Sequence, residues 1–576
     1  MLLQSLVNYY YDLAEQEKVF PRGWEHVNIS YVLDLDENGR LKEVASVKQQ
    51  QTTGKKSFMR PTAMLLPTAV LRSNGVHPNF LWDKSSYILG VDDKGKPTRT
   101  AECFSASKAW HKKLLDGVDT PAARALLLFF DSWNPAQICE YPFLMEHLDE
   151  ISSTAYLTFR VDGMYVADDE LIQAAWNAYK NADATDPSDE CMSLVTGHRG
   201  KVTRVHPQFK GIVGAQSSGA SLVSFNMSSA LSHGWKQGMN ARISEFDAYA
   251  YSTALNSLIK DREHVYRIGD GTILCWAQGG EPAYQDLFLR LVSASKEDEP
   301  ERVLEILCDL SNGNAIEYEG VTINPDTTFY VLALAPNAAR LSVKLFYHNS
   351  FGRMMGNILT YYQDVEIDGN FGALLHPWQL LYELINPKSK KSTTLLTSVT
   401  FLEAFLTGGP YPSTLWSSLF NRIIIEHNVS WRKAAITKAY FLRVPYIESI
   451  EKEEVFGVAL NPESNNVPYT LGRLCSVLFS IEETADPNLK DVVQARAFKG
   501  LLTTPATSFP MVIQRAYGKL RTLGRLQETF DEQLMDLFSR LDEQFPEVLT
   551  EKEQGEFIIG YYHQMTARYK KKGEEE

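Results

Sequence analysis

The sequence has 576 residues, with 57 Lys+Arg against 71 Asp+Glu and a formal charge of −14. Its 44% hydrophobic and 22% charged residues exclude disorder as the main state, and its length predicts roughly three or four parts of about 150 residues. An acidic balance argues against a nucleic-acid partner, unless the acids are unevenly placed.

Six cysteines (Cys103, Cys139, Cys191, Cys275, Cys308, Cys475) stand singly, with no C-x-x-C pair. That usage suits a reducing cytoplasm and offers neither a disulfide framework nor a zinc site. Leu2, Leu3, Leu6, Val7, Tyr10 and Leu13 mark one face of a first helix. Asp12, Glu15 and Glu17 interrupt it as a signal peptide. No apolar run approaches the roughly 20 residues that span a bilayer, so a cytoplasmic protein with no membrane partner is expected.

In chain order, 26–36 and 41–48 alternate as two strands around the turn Glu37-Asn38-Gly39. Residues 49–57 (QQQTTGKKS) hold no apolar anchor and predict a mobile loop. Residues 120–150 and 168–182 predict helix. Residues 194–240, rich in Gly and Ser, predict short strands and loops. Then come a helix over 243–259, a hairpin over 266–277, strands at 327–335 and 341–346, and a helix to about 362. From 395 the pattern is helical: 396–407, 413–427, 431–443, 468–484, 488–503, 511–525, 526–544 and 551–570. The spacing therefore predicts an α+β class: a mixed multi-part α/β body with antiparallel sheets, followed by a C-terminal helical bundle. The expected limits are 1–394 for the body, 395–454 for a helical connector and 455–576 for the bundle.

The acids are unevenly placed. Residues 44–82, 191–244 and 492–527 contain no Asp or Glu, although the chain has 71. The first window holds Lys48, Lys55, Lys56, Arg60 and Arg72. The second holds Arg199, Lys201, Arg204, Lys210, Lys236 and Arg242. The third holds Arg496, Lys499, Arg515, Lys519, Arg521 and Arg525. Screening over about 8–10 Å makes only nearby charge matter, so a surface that meets phosphate excludes acids locally. Buried strands also lack acids, and the cations weigh against that simpler explanation. Asn74 and Asn79 carry amides suited to base edges. In Gly214-Ala215-Gln216-Ser217-Ser218-Gly219-Ala220-Ser221 the small residues permit close backbone approach, and Gln216 is the one long side chain. A tight turn between strands would produce the same composition.

Enzyme signatures are missing. There is no G-x-S-x-G elbow, Walker A loop, G-x-G-x-x-G, H-E-x-x-H or His-Asp dipeptide. The twelve histidines are isolated. No catalytic residue, metal site or cofactor is expected.

Several stretches carry a resemblance: Arg72 to Leu81 (RSNGVHPNFL), Ser86 to Gly90 (SYILG), Leu194 to Gly197 (LVTG), His206-Pro207, Gly214 to Asn226 (GAQSSGASLVSFN), Pro336 to Ser342 (PNAARLS), Gly408 to Pro412 (GGPYP) and Tyr469 to Leu474 (YTLGRL). Nearly end to end, the chain resembles the large subunit of the type I-C CRISPR surveillance complex, Cascade. The resemblance implies a non-catalytic antiviral role. Guide RNA reads the target, while protein reads a short TTC-like flanking motif (the PAM) in duplex form, a division of labour known for another effector class. It also implies opening of the adjacent duplex, R-loop formation and recruitment of a helicase-nuclease.

For this sequence the resemblance implies Lys55, Lys56, Asn74 and Asn79 near the PAM duplex. It implies Gln216, Ser217, Ser218 and Gly219 at the duplex junction, with Gln216 as a wedge. It implies Arg199, Lys201, Arg204, Arg496, Lys499, Arg515, Lys519, Arg521 and Arg525 along nucleic-acid backbone. Implied partners are guide RNA, double-stranded target DNA, repeated backbone subunits, the subunit that binds the guide's 5′ handle, and the helicase-nuclease. A small subunit translated from the 3′ part of the gene, from a start at Val455 or Val458, is also implied. The alternative is a structural scaffold with no direct DNA readout.

Overall fold

The computed structural model describes every residue except 54–55, 71–74, 94–96, 182–189, 226, 262–263, 269–270, 293–298, 371, 386–394, 487–489, 542–543 and 575–576. Lys55 and Asn74 lie outside the described residues, and so do the side chains of Lys56 and Arg496. The class is the expected one: mixed helix and strand, with small sheets that are mostly antiparallel and a helical C-terminal region. Contacts divide the chain into two compact units. One holds residues 1, 3–206 and 225–253, and the other 2, 207–224 and 254–576.

In the first unit a sheet runs in the order Leu41–Ser46, Tyr31–Leu35, Tyr156–Val161, Trp82–Lys84. Tyr31–Leu35 pairs in parallel with Tyr156–Val161, and the other neighbours are antiparallel. The turn after Leu35 is the one expected. Asp36 accepts from the Gly39 N–H at 2.9 Å, and Gly39 sits at φ 72, where a side chain is strained. The sheet buries Leu33, Leu157 and Phe159 against Leu126, Phe129 and Phe130 of the helix Pro121–Ser132. Thr120 caps that helix by accepting from the Ala123 N–H at 3.2 Å, and Pro121 fits its first turn.

Two sequence expectations are corrected here. The strand expected over 26–36 is two strands, because Trp24–Ile29 pairs with Thr62–Pro67 while Tyr31–Leu35 joins the sheet. Tyr31, Val32 and Leu33 are all buried, so strict alternation fails there. The polar stretch expected as a loop is paired backbone, Gln49–Thr53 against Lys56–Arg60. A two-stranded ribbon satisfies its amides by pairing, whatever its side chains.

In the second unit the sheet order is Gln208–Phe209, Ala220–Ser221, Arg340–Ser350, Thr328–Asn337, Gly271–Ala277, Tyr266–Ile268. Ile273, Cys275, Phe329 and Val331 face a core built with the helices Ala283–Val292, Pro300–Ser311 and Phe351–Val365. That core continues without a break through Phe405, Trp416, Phe441, Phe456, Tyr469 and Phe557. Phe441 and Phe456 stack within it at 5.5 Å. The segment 461–466 is bound to the helix before it, Ser449–Val455. Glu454 Oε1 accepts from Ser464 Oγ at 2.7 Å and from the N–H groups of Asn465 and Asn466 at 3.0 and 3.1 Å. No helix among the described residues is long and apolar enough to cross a membrane.

Candidate nucleic-acid interface

The second acid-free window folds mostly as irregular backbone, with short strands at Arg199–Lys201, Gln208–Phe209 and Ala220–Ser221. In the first unit, 190–206 and 225–244 are stitched together by backbone. The Leu194 N–H donates to Arg242 O at 2.9 Å, the Thr203 N–H to Ile243 O at 2.9 Å, and the Gly238 N–H to Arg204 O at 3.0 Å. Arg199, Arg204 and Lys236 are exposed on this surface. The acids that follow the window do not reach it as free charge. Glu245 pairs with Arg22 at 3.0 Å and with Lys201 at 3.2 Å. Asp247 is fully buried and accepts from Thr196 Oγ1 at 2.8 Å. Lys201 is thus half engaged within the protein, whereas Arg199 is not ion-paired among the described residues. Beneath the surface His206 lies 2.9 Å from the Tyr251 hydroxyl, and burial lowers its pKa to about 4.

The other part of that window lies in the second unit. Gln216 to Gly219 is a tight turn between the strands Gln208–Phe209 and Ala220–Ser221, closed by the Gly219 N–H to Gln216 O bond at 2.9 Å. The simpler composition argument, a turn, therefore describes its backbone. Its tip is Gln216, Ser217 and Ser218, all exposed, while Ile212 and Ala220 anchor its ends in the interior. Gly219 has φ 113, and a Cβ there would stand 3.0 Å from Gln208 Cβ. Gly214 has φ 78, and its Cβ would meet Pro336 at 3.0 Å. Ser221 pairs with Arg340 and donates its N–H to Ala339 O at 3.0 Å. Two stretches far apart in sequence, 214–221 and 336–342, thus form one sheet margin.

The first window behaves differently. Asn79 is 3% exposed. Its Oδ1 accepts from the Val70 N–H at 2.9 Å, and its own N–H donates to Asp83 Oδ2 at 2.9 Å. This amide is bonded to the Val70 backbone instead of facing outward. Phe80, next to it, stacks on Trp176 at 5.4 Å inside the core.

In the third window Lys499, Arg521 and Arg525 are exposed and Lys519 is half-buried. Arg521 and Arg525 flank Gly524 in the turn between the helices Pro505–Leu520 and Leu526–Ser539. Arg515 is engaged internally, its guanidinium bonded to both oxygens of buried Glu482. Of the cations expected along nucleic acid, Arg199, Arg204, Lys499, Arg521 and Arg525 are presented outward, and Lys201 and Arg515 are paired.

A sequence model of the family described as CRISPR-associated protein (Cas_Csd1) matches residues 6–569. The chain belongs to that family. No curated protein matches it. Among the described residues no three of His, Cys, Asp and Glu are grouped to hold a metal ion. One residue escaped the sequence reading: Trp235, exposed in the second window with Arg242 over its ring at 4.5 Å. A Trp set between Gly234 and Lys236 in an acid-free stretch is the signal that marks it.

Proposed function

We propose that this Cas_Csd1-family chain is the large, non-catalytic subunit of a type I-C Cascade, which recognises the PAM in double-stranded DNA and promotes its opening. The observation that carries the proposal is the turn with Gln216, Ser217 and Ser218 exposed at its tip, on a sheet margin built from 214–221 and 336–342; in the first unit, exposed cations have neighbouring acids that are buried or paired. Arg199, Arg204, Lys499, Arg521 and Arg525 meet phosphates, which set register and affinity. Gln216 enters the junction as a wedge, trading stacking for new contacts. Lys55, Lys56 and Asn74 belong to the PAM-proximal group, with Asn79 bonded to the Val70 backbone. The partners are the guide RNA, the backbone and 5′-handle subunits, and the helicase-nuclease that performs cleavage.

The test is binding of the purified full chain to duplexes with and without the flanking motif at two salt concentrations. Tighter, salt-sensitive binding to the motif-bearing duplex is expected. Equal, negligible binding to both favours the scaffold reading, which the internal pairing of Arg515 and Asn79 supports at those positions. A separate small subunit starting at Val455 or Val458 is part of the proposal. Mass spectrometry of the assembled complex that finds no such product removes it.

A further inference from the structure

Trp235 is held in solvent by a loop shaped to keep it there. It is 39% exposed, although burying an indole is among the largest apolar gains available to a side chain. The loop is not slack. His233 (φ 52), Gly234 (φ 74) and Gln237 (φ 49) are all left-handed, a conformation that non-glycine residues keep only where the surroundings impose it. Asn240 imposes it. Its Oδ1 accepts from the Ser232 N–H at 2.8 Å, and its Nδ2 donates to Trp235 O at 3.2 Å and to Gln237 O at 2.9 Å. Gly238 ties the loop down, for a Cβ there would lie 1.8 Å from Thr203 O.

The ring is electrostatically dressed as well. The Arg242 guanidinium lies 4.5 Å from its centroid, with Nε buried and without a hydrogen-bond partner among the described residues. Exposed Met227 and Leu231 precede it, Lys236 follows it, and no acid occurs from 191 to 244.

We propose that Trp235, backed by Arg242, is a stacking platform for an unpaired nucleotide of DNA or RNA. An indole face accepts any base, and adjacent cations hold the phosphates on either side. The proposal rests on the nucleic-acid reading above, and goes beyond it by assigning the unpaired strand to one side chain.

The test uses the full chain with short single-stranded DNA and RNA carrying 2-aminopurine, beside a blunt duplex. Trp235→Ala should weaken single-strand binding roughly fivefold to a hundredfold, with duplex binding and the salt slope unchanged. Trp235→Phe, which keeps an aromatic face, should retain most of the affinity. Wild-type protein should quench 2-aminopurine, and W235A should not. An effect in only one of the DNA and RNA arms supports the platform and names its source. Single-strand binding by W235A equal to wild type overturns the platform alone. A wild-type chain that binds none of the three probes overturns the nucleic-acid reading with it.

Discussion

The backbone N–H of Leu81 donates to Nε2 of His111 at 2.9 Å. Both residues are fully buried, and Leu81 is left-handed at φ 65. Nδ1 of the same ring lies 2.8 Å from Ser107 O, so Nδ1–H donates there and Nε2 must stay unprotonated to serve Leu81.

That bond makes acid destabilising. Burial lowers the His111 pKa to about 4, below the 6.5 of an unfolded chain. Between those values the unfolded state binds the proton and the folded state does not, so stability falls as pH drops from about 6.5 and levels off below about 4. The full loss at this site is about 3 kcal/mol, since each pH unit between the two values is worth about 1.4 kcal/mol. His206 and His563 are displaced in the same direction, also by burial. Thermal unfolding at pH 7.5 and 5 should show a marked drop, smaller in His111→Gln. A melting temperature equal at both pH values contradicts the neutral, buried assignment.

Two glycines set a close helix crossing in the C-terminal region. A Cβ at Gly472 would stand 2.0 Å from Phe557 O, and one at Gly560 2.1 Å from Tyr469 O. These contacts join the helices Val467–Ala485 and Glu551–Glu574. Gly472→Ala or Gly560→Ala must separate backbones, costing at least about 1–3 kcal/mol. Gly518, inside the helix Pro505–Leu520, has open space around it, so Gly518→Ala should stabilise by about 0.5–1 kcal/mol. Denaturation midpoints check both signs. A crossing variant as stable as wild type would refute the packing.

Exposed cations and a cation held by an internal ion pair should separate in a salt titration of target binding. Replacing Arg521 and Arg525 by Ala, or Lys55 and Lys56 by Ala, should flatten the log K against log salt line by about 0.9 per lost phosphate contact. Arg515→Ala should leave the slope alone and lower stability, because it strands the buried Glu482 carboxylate. Slopes that respond to Arg515 and not to Arg521 and Arg525 would reverse the assignment.

Class and element order were legible in the sequence because most helices show one apolar face. Elements whose partners are polar were not. The helix Pro97–Leu114 buries Thr100, Ser107 and His111 beside Cys103, Phe104 and Leu114, so its stripe carries little hydrophobic signal. The helix expected from 511 begins at Pro505 and carries Pro510 inside. Burial of Phe509, Val512, Ala516 and Leu520 outweighs one missing backbone bond. At the site, composition located the acid-free windows, but only burial tells which of their side chains face outward. Asn79 and Gln216 are both amides, and only Gln216 faces outward.

Under the proposed function this chain opens duplex DNA beside a flanking motif, with Gln216 at the junction. The most direct test is 2-aminopurine placed at the first target pair, followed by stopped flow with complexes assembled with this chain, without it, and with Gln216→Ala. The account predicts rapid opening only with the chain and the motif present, and slower opening but unchanged encounter for Q216A. Opening at the same rate without the chain would contradict it.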